Sequence, residues 1–404
     1  MINRETYIDK IIEFIDKPFV KIITGIRRSG KSTVLMLLVS EFQKRGVDKE
    51  QIVYINFESF DFSHINEATH LYNYVKEKIN HNKRFYIILD EIQEVNEWEK
   101  AVNSFLVDFN VDIYITGSNS HLLSSELATL LTGRYIEFHV YTLSFKESLL
   151  FKQQRNVINP DISNEFELFL RTGGFPVLYT SDYSLDAAYK IVYDIYSSAI
   201  LRDTIQRNNI RDIELLERVV KFVLDNIGNK FSGKNVADYF KSQYRKIDIN
   251  TVYNYLNALE SAFIIHRISR FDVKGKEILK TQEKFYVADT AILYAVMGYK
   301  DRLIAGVLEN IVMLELKRRG YSVFVGKLDT VEIDFVAQKA NEVIYLQVAY
   351  QLAEQTTIER EIKPLLQIKD NYPKYIISMD KTWKDNIQGI KQEYIADFLL
   401  NDNF

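Results

Sequence analysis

The stretch Gly25-Ile-Arg-Arg-Ser-Gly-Lys31-Ser32 fits the pattern G-x-x-x-x-G-K-[ST] at every fixed position. An apolar run, Phe19 to Thr24, precedes it, and a helical pattern, Thr33 to Phe42, follows it. In such a strand, loop and helix unit, main-chain N–H groups of the loop and of the first helical turn point inward and form a concave anion site. The sequence therefore predicts a site for the phosphates of a nucleoside triphosphate.

The residues of this loop have separate expected roles. Lys31 is expected to reach the β- and γ-phosphates and to act in catalysis, and Ser32 is expected to hold Mg²⁺. The other loop residues predicted to contact the nucleotide are Gly25, Ile26, Arg27, Arg28, Ser29, Gly30 and Thr33.

Composition limits the class of protein. With 404 residues, of which 47% are hydrophobic, the chain exceeds the size of a single core, so we expect two or three domains. The net charge of −4 gives no overall attraction to nucleic acid, so any such contact needs a local basic surface. There are no cysteines, which excludes disulfides and Cys-based metal sites. No apolar stretch reaches membrane-spanning length and no signal peptide is evident, so we expect a cytoplasmic protein without a membrane partner.

Four apolar runs alternate with helical patterns around the phosphate loop. They are 51–57, 85–89, 112–116 and 135–140. This rhythm predicts an α/β fold with a parallel sheet and crossover helices. The second run ends in Asp90-Glu91, which places two carboxylates at the sheet edge where ligands of open α/β folds bind.

The two neighbouring acids have separable predicted jobs. Asp90 is expected to accept a hydrogen bond from a magnesium-bound water, and Glu91 to polarise the water that attacks the γ-phosphate. The alternative is that these acids cap the helix that follows the strand.

Three further residues are candidates for catalysis. Ser118 and Asn119 follow the next strand, where small polar groups can sense a γ-phosphate, although an ordinary helix-capping turn explains them nearly as well. Arg134 precedes the last strand of the sheet. In a homo-oligomer it would be an arginine finger for a neighbouring copy, and a local salt bridge is the alternative.

Several motifs in order resemble those of the AAA+ branch of P-loop ATPases. The chain resembles bacterial and archaeal ATPases that combine an AAA-type core, a winged helix and a C-terminal PD-(D/E)XK nuclease-like domain. The motifs are 24–32, Leu89-Asp-Glu-Ile-Gln93, Thr116-Gly-Ser-Asn-Ser120, Leu131-Thr-Gly-Arg134, Thr172-Gly-Gly-Phe-Pro176, Leu308-Glu-Asn310 and Val331-Glu-Ile-Asp-Phe335. The resemblance implies a restriction-endonuclease-like α/β fold at the C-terminus, domains at 1–205, 206–300 and 301–404, and ATP as the nucleotide.

The middle segment has a helix-turn-helix pattern, with helices predicted at 232–240 and 248–259. The second helix buries Val252, Tyr255, Leu256 and Leu259, and leaves Asn250, Thr251, Asn254 and Asn257 exposed. Strands predicted at 263–268 and 284–288 flank a hairpin with Lys274, Lys276 and Lys280. From position 241 to 284 there are nine Lys or Arg against five Asp or Glu. A winged helix that contacts DNA and a module that serves as a lid or docks a protein both remain open.

The C-terminal segment resembles the PD-(D/E)XK fold, in which a helix Glu, a strand Asp and an E-x-K pair gather a metal ion. Glu309 and Asp334 match the first two positions, whereas Gln347 and Ala349 occupy the last two. Gln offers a neutral carbonyl and Ala offers no cation. We therefore expect a degenerate site without nuclease activity.

Two functions follow from these observations. The first is an ATPase, dependent on Mg²⁺, that couples ATP hydrolysis to rearrangement of its C-terminal half on DNA. The second is a nucleotide-gated switch or scaffold that recruits a protein partner and has no role on DNA.

Overall fold

The computed structural model describes residues 4–79, 83–120, 131, 133–159, 161–242, 247–352, 355–381 and 386–401. They fall into two compact units, 1–140 with 261–263 and the remainder from Tyr141 onward. Among the described helices, none is both long enough and apolar enough to cross a membrane.

The first unit alternates strands and helices. Its elements are α1 (Glu5–Ile12), β1 (Val20–Thr24), α2 (Lys31–Lys44), β2 (Ile52–Asn56), α3 (Ala68–Lys78), β3 (Phe85–Asp90), α4 (Trp98–Asp108), β4 (Val111–Thr116) and β5 (Tyr135–His139). The five strands that the structure describes in this unit are arranged in the order β2-β3-β4-β1-β5, and every neighbouring pair is parallel. The predicted α/β fold with a parallel sheet is confirmed.

Both faces of this sheet are covered by helices. One face, with Ile22 and Ile87, packs against side chains of α3 and α4. The other face, with Ile23 and Ile88, packs against side chains of α2. Burial on both faces explains why the strands read as continuous apolar runs rather than as alternating patterns. Because the strands are parallel, the carboxyl-terminal ends of β1, β3 and β4 all lie along the same edge of the sheet.

A buried ion pair joins two neighbouring strands inside this sheet. Lys21 on β1 pairs with Asp112 on β4, and the two side chains are 0% and 1% exposed. The second carboxylate oxygen of Asp112 accepts hydrogen bonds from the Asp16 backbone N–H and the Tyr114 hydroxyl, each at 2.8 Å. Burial lowers the pKa of Lys21, and the charge of Asp112 opposes that shift. The buried charge of Lys21 is therefore stabilised by the charge of Asp112.

Asp112→Leu should lower the free energy of unfolding by about 3–5 kcal/mol, because it leaves the Lys21 ammonium buried without a counter-charge. The double variant Lys21→Met/Asp112→Leu should lose less than the single one, since no charge is then left unpaired. Urea titrations of both variants and the parent measure this. Equal urea midpoints for Asp112→Leu and the parent would show that the pair does not support the fold.

The second unit begins with four helices, after which strands and helices are interspersed. Its helices are α5 (Phe145–Gln154), α6 (Ile162–Thr172), α7 (Leu185–Ser198), α8 (Ile213–Asp225), α9 (Gly233–Ser242), α10 (Ile249–Ser261), α11 (Thr290–Met297), α12 (Ile304–Arg318), α13 (Gln355–Leu366) and α14 (Ile395–Leu400). Its strands are β6 (Lys230–Phe231), β7 (Ile265–Asp272), β8 (Glu277–Val287), β9 (Ser322–Leu328), β10 (Val331–Lys339), β11 (Glu342–Ala349), β12 (Lys374–Ser378), β13 (Asn386–Ile387) and β14 (Ile390–Tyr394).

The described strands of the second unit form one mixed sheet in the order β13-β14-β12-β11-β10-β9-β7-β8-β6. The hairpin of β7 and β8 joins the C-terminal strands because β7 pairs in parallel with β9. The predicted boundaries at 205/206 and 300/301 both lie inside this unit. The two predicted helices of the middle segment are present as α9 and α10, and the hairpin strands are longer than predicted. The three-domain division stays a prediction.

The Gly173-Gly174 pair permits a close approach between two parts of the second unit. Gly173 has φ 62°, and a Cβ there would lie 1.8 Å from Oδ1 of Asp289. The Gly174 N–H donates to the other carboxylate oxygen of Asp289 at 2.8 Å, and Asp289 also accepts from the Ala291 N–H at the start of α11. This motif therefore has a packing role.

Candidate nucleotide site

The loop between β1 and α2 has the backbone geometry of an anion site. Gly25 has φ 141°, and a Cβ there would lie 2.2 Å from the Val140 carbonyl oxygen. Gly30 has φ 98° and precedes the first residue of α2 without any side-chain cap. The N–H groups of the first helical turn have no partner within the helix and carry its positive dipole end. An anion is the ligand that suits these groups.

Lys31 is buried at the start of α2, and its ammonium contacts the loop. Its Nζ donates to the Gly25 carbonyl oxygen at 3.1 Å and lies 3.5 Å from Oε1 of Glu91. Ser32, the next residue, is exposed. The buried hydroxyl of Ser29 has no hydrogen-bond partner among the described residues. A phosphate oxygen would satisfy this hydroxyl, so the loop fits a phosphorylated ligand.

The remaining loop residues differ in exposure. Ile26 is buried, Arg28 is exposed, and Arg27 forms an ion pair with Glu58 at 3.0 Å. Thr33 is half-buried in the first turn of α2. All of the predicted loop residues therefore lie between the end of β1 and the first turn of α2.

Asp90 ends β3 and is completely buried. Its Oδ2 accepts a hydrogen bond from the Tyr54 hydroxyl at 3.0 Å, and its Oδ1 accepts one from Thr116 at 2.5 Å. The Thr116 hydroxyl oxygen in turn accepts the N–H of Glu91 at 2.9 Å. Burial and the nearby charge of Asp90 raise the pKa of Tyr54, so this phenol stays protonated as a donor. The orientation of Asp90 is therefore set by two neighbouring strands.

Glu91 follows Asp90 in a left-handed backbone conformation, with φ 58°. Its Oε2 accepts a hydrogen bond from Gln93 at 2.5 Å, and its Oε1 faces Lys31. Burial alone would raise the pKa of Glu91, but the charge of Lys31 and the Gln93 hydrogen bond outweigh it, so the pKa is lowered. Glu91 is therefore ionised at neutral pH and can accept a proton.

The structure places the other predicted catalytic residues at two different edges. Ser118 and Asn119 are buried directly after β4, where the Gly117 N–H donates to the Ile23 carbonyl oxygen of β1 at 3.2 Å. They lie at the same edge as the phosphate loop. Arg134 is exposed at the start of β5 and contacts Asn103 at 3.4 Å. Because β5 is parallel to β1, Arg134 lies at the opposite edge, away from the loop of its own chain.

No site role was predicted from the sequence for three residues, Tyr54, Gln93 and Thr116, although Gln93 and Thr116 lie within motifs that carry the family resemblance. Thr116 ends the strand next to β3, and a polar residue in that position is a signal that could have been used. Tyr54 carries no such signal, because it lies inside its strand, between Val53 and Ile55, rather than at the end of it. Gln93 contacts Glu91 through a tight turn whose geometry the sequence does not reveal.

The predicted degenerate site in the second unit contains a lysine. Glu309 and Asp334 both lie near the ammonium of Lys284, at 3.1 and 3.6 Å. The Gln347 side chain accepts the Asp334 N–H at 2.7 Å and donates to Glu361 at 3.0 Å, so it contacts the Asp334 backbone rather than its carboxylate. Lys284 contributes to the excess of positive charge in the sequence from 241 to 284, yet it is 2% exposed.

Comparison with known proteins supports the P-loop interpretation. Residues 17–149 match an AAA domain, and residues 163–303 match a domain of unknown function, DUF8612. Over 403 residues the chain is 40% identical to an uncharacterized protein of Haemophilus influenzae, covering 99% of each chain. The chain belongs to this family of AAA-type P-loop ATPases. An uncharacterized protein of Methanocaldococcus jannaschii is 31% identical over 359 residues, which are 85% of this chain and 77% of the relative.

Solved structures with a similar fold include one whose match extends over most of both chains. It is a Walker-type ATPase of Pyrococcus abyssi, which is 15% identical and has a TM-score of 0.51. The match covers 73% of this chain and 96% of the other. At this identity the likeness concerns the fold alone. The winged-helix and PD-(D/E)XK interpretations of the second unit stay predictions.

Thr116→Val should lower nucleotide turnover roughly tenfold or more, because the Glu91 N–H loses its partner and Asp90 loses one of its two donors. Steady-state phosphate release measures this effect. The exposed substitution Thr69→Val on α3 is the matched control. Parent-like turnover in Thr116→Val would show that this hydroxyl does not orient the two acids.

Proposed function

We propose that this protein binds and hydrolyses ATP with Mg²⁺. The supporting observation is the convergence of Lys31, Asp90 and Glu91 in one buried cluster at the loop edge of the parallel sheet. A cation and two acids with different partners are the arrangement that phosphoryl transfer requires. The choice of ATP over other triphosphates rests on the family.

The residues of the loop fit bound Mg²⁺ and triphosphate. The loop N–H groups, Ser29 and Lys31 would hold the phosphates, Ser32 would be a ligand of the metal, and Asp90 would accept a hydrogen bond from a metal-bound water. The bound Mg²⁺ would neutralise charge that develops on the phosphate oxygens.

Lys31 and Glu91 would change partners when a nucleotide binds. Lys31 would exchange the Gly25 carbonyl and Glu91 for phosphate oxygens, which carry more negative charge. Oε1 of Glu91 would then be open to a water molecule, while Gln93 still holds Oε2. Glu91 would take a proton from that water as it attacks the γ-phosphate.

We also propose that the state of the nucleotide is transmitted beyond the first unit through Val140. The Val140 N–H donates to the Thr24 carbonyl oxygen at 2.8 Å, and its carbonyl oxygen leaves no room for a side chain at Gly25. Val140 is also the last residue of the first unit before the chain enters the second at Tyr141. A backbone shift at Gly25 would therefore reach the connection between the units directly.

Lys31→Ala should abolish nucleotide binding, whereas Glu91→Gln should bind ATP and hydrolyse it about 10²–10⁴-fold more slowly, because it lacks the proton acceptor. Calorimetric titration with Mg²⁺ and ATP measures binding, and phosphate release measures hydrolysis. Lys44→Ala and Glu50→Gln make the same chemical changes at exposed positions and should behave as the parent. Parent-rate hydrolysis by Glu91→Gln would refute its role as base.

The partner of the second unit is either DNA or a protein. In favour of DNA, Asn250, Asn254 and Asn257 are exposed on α10. In favour of a protein, the hairpin presents less free positive charge than its sequence suggests, because Lys284 is buried and Lys274 pairs with Asp329 at 2.5 Å. This pairing favours the alternative of a nucleotide-gated, protein-recruiting switch.

Phosphate release measured with and without single- and double-stranded DNA separates the two candidates. Stimulation by DNA that Asn254→Asp weakens through charge repulsion, while basal hydrolysis is retained, would support DNA contact. Indifference to DNA over a range of salt concentrations would support the protein-recruiting switch.

A further inference from the structure

The metal ion implied by the PD-(D/E)XK resemblance does not fit the second unit. Three carboxylates, Glu309, Glu332 and Asp334, form what we call the acidic cluster. The ammonium of Lys284 lies among them, with Nζ 3.1 Å from Glu309, 3.1 Å from Glu332 and 3.6 Å from Asp334. In this arrangement, no three acidic, His or Cys side chains among the described residues could hold a metal ion, so a metal ion could bind here only once the ammonium is removed and the carboxylates move closer together.

We propose that Lys284 is a built-in cation that takes the place of a divalent metal ion in the acidic cluster, so that the second unit carries a latent metal site closed by its own chain. An ammonium has three N–H donors, and here it faces three carboxylates. This inference does not depend on the ATPase activity proposed for the first unit.

The electrostatics favour a permanently charged lysine. Burial alone would lower the pKa of Lys284, but Glu309, Asp334 and Glu332 outweigh it and raise the pKa. The side chain is 3% exposed, so water does not screen these contacts. Lys284 therefore carries its charge throughout the neutral pH range.

The remaining negative charge of the cluster is compensated by other donors. The Tyr286 hydroxyl donates to Glu309 at 2.7 Å, Lys230 pairs with Glu332 at 3.0 Å, and the Val348 N–H donates to Asp334 at 2.9 Å. Two ammonium groups and two neutral donors therefore face the three carboxylates without an added metal ion.

A backbone segment also closes one side of the cluster. The Ile227 carbonyl oxygen would lie 2.5 Å from a Cβ at Gly306, and a Cβ at Gly228 would lie 3.1 Å from Oε2 of Glu309. These two glycines let the segment lie directly against α12 beside Glu309. A phosphodiester therefore cannot approach Glu309 from that side.

The position of Lys284 in the chain gives the cluster a structural role. Lys284 lies on β8, whereas Glu309 lies on α12 and the other two acids lie on β10. The ion cluster therefore ties the hairpin of the middle segment to the C-terminal helix and strand. A divalent ion would make the same connection with carboxylates alone.

The test is Mn²⁺ binding to the full chain without nucleotide, followed by electron paramagnetic resonance. Lys284→Met should gain a Mn²⁺ site with an affinity roughly tenfold or more above that of the parent, because the competing ammonium is gone. Adding Glu309→Gln should abolish this gain. Lys276→Met, an exposed change on the same hairpin, should behave as the parent.

Two results would overturn the proposal. One is Mn²⁺ binding by the parent that Glu309→Gln removes, since the site would then be open. The other is a folded Lys284→Met that gains no Mn²⁺ affinity. If Lys284→Met is unfolded without metal, Mn²⁺ should restore its circular dichroism spectrum, and failure to do so also overturns the proposal. Lys284→Arg, which retains the charge, should fold and bind no Mn²⁺.

Discussion

The structure depends on one constraint, which is that a buried ammonium must have negative or polar partners. Lys21, Lys31 and Lys284 are each less than 5% exposed. An unpaired charge in such surroundings costs several kcal/mol, so the elements that carry these lysines can pack only where partners are supplied. Lys21 thereby links β1 to β4, and Lys284 links β8 to α12 and β10.

The three lysines differ in how strongly their present partners bind them. This difference distinguishes the lysines that hold the fold together from the one that can bind a ligand. Lys21 and Lys284 face carboxylates at close distance. Lys31 contacts carbonyl oxygens and lies farther, at 3.5 Å, from Glu91. Neutral carbonyl oxygens bind an ammonium less strongly than charged phosphate oxygens do, so Lys31 would form stronger hydrogen bonds with a phosphorylated ligand. The Ser29 hydroxyl in the same loop has no hydrogen-bond partner among the described residues, and it too would gain a hydrogen bond from such a ligand.

Much of the candidate nucleotide site could be predicted because its parts are contiguous in sequence. The phosphate loop is one run of residues, and Asp90-Glu91 follows directly from an apolar strand. The contacts of Tyr54 and Thr116 with Asp90 could not be read in the same way, because they depend on which strands are neighbours and in which register. In the second unit, the count of positive residues in the sequence includes Lys284 as if it were on the surface, because such a count does not distinguish buried from exposed lysines.

The sequence by itself determined the parallel sheet, the phosphate loop and the two acids at its edge, because short-range geometry and continuous apolar runs specify them. Only the tertiary structure decided which charges meet. It joined the hairpin to the C-terminal strands through β7 and β9 and brought Lys284 into contact with Glu309, Glu332 and Asp334. The physical reason is that contacts between distant segments depend on which strands become neighbours and in which register. A local sequence pattern contains no information about either.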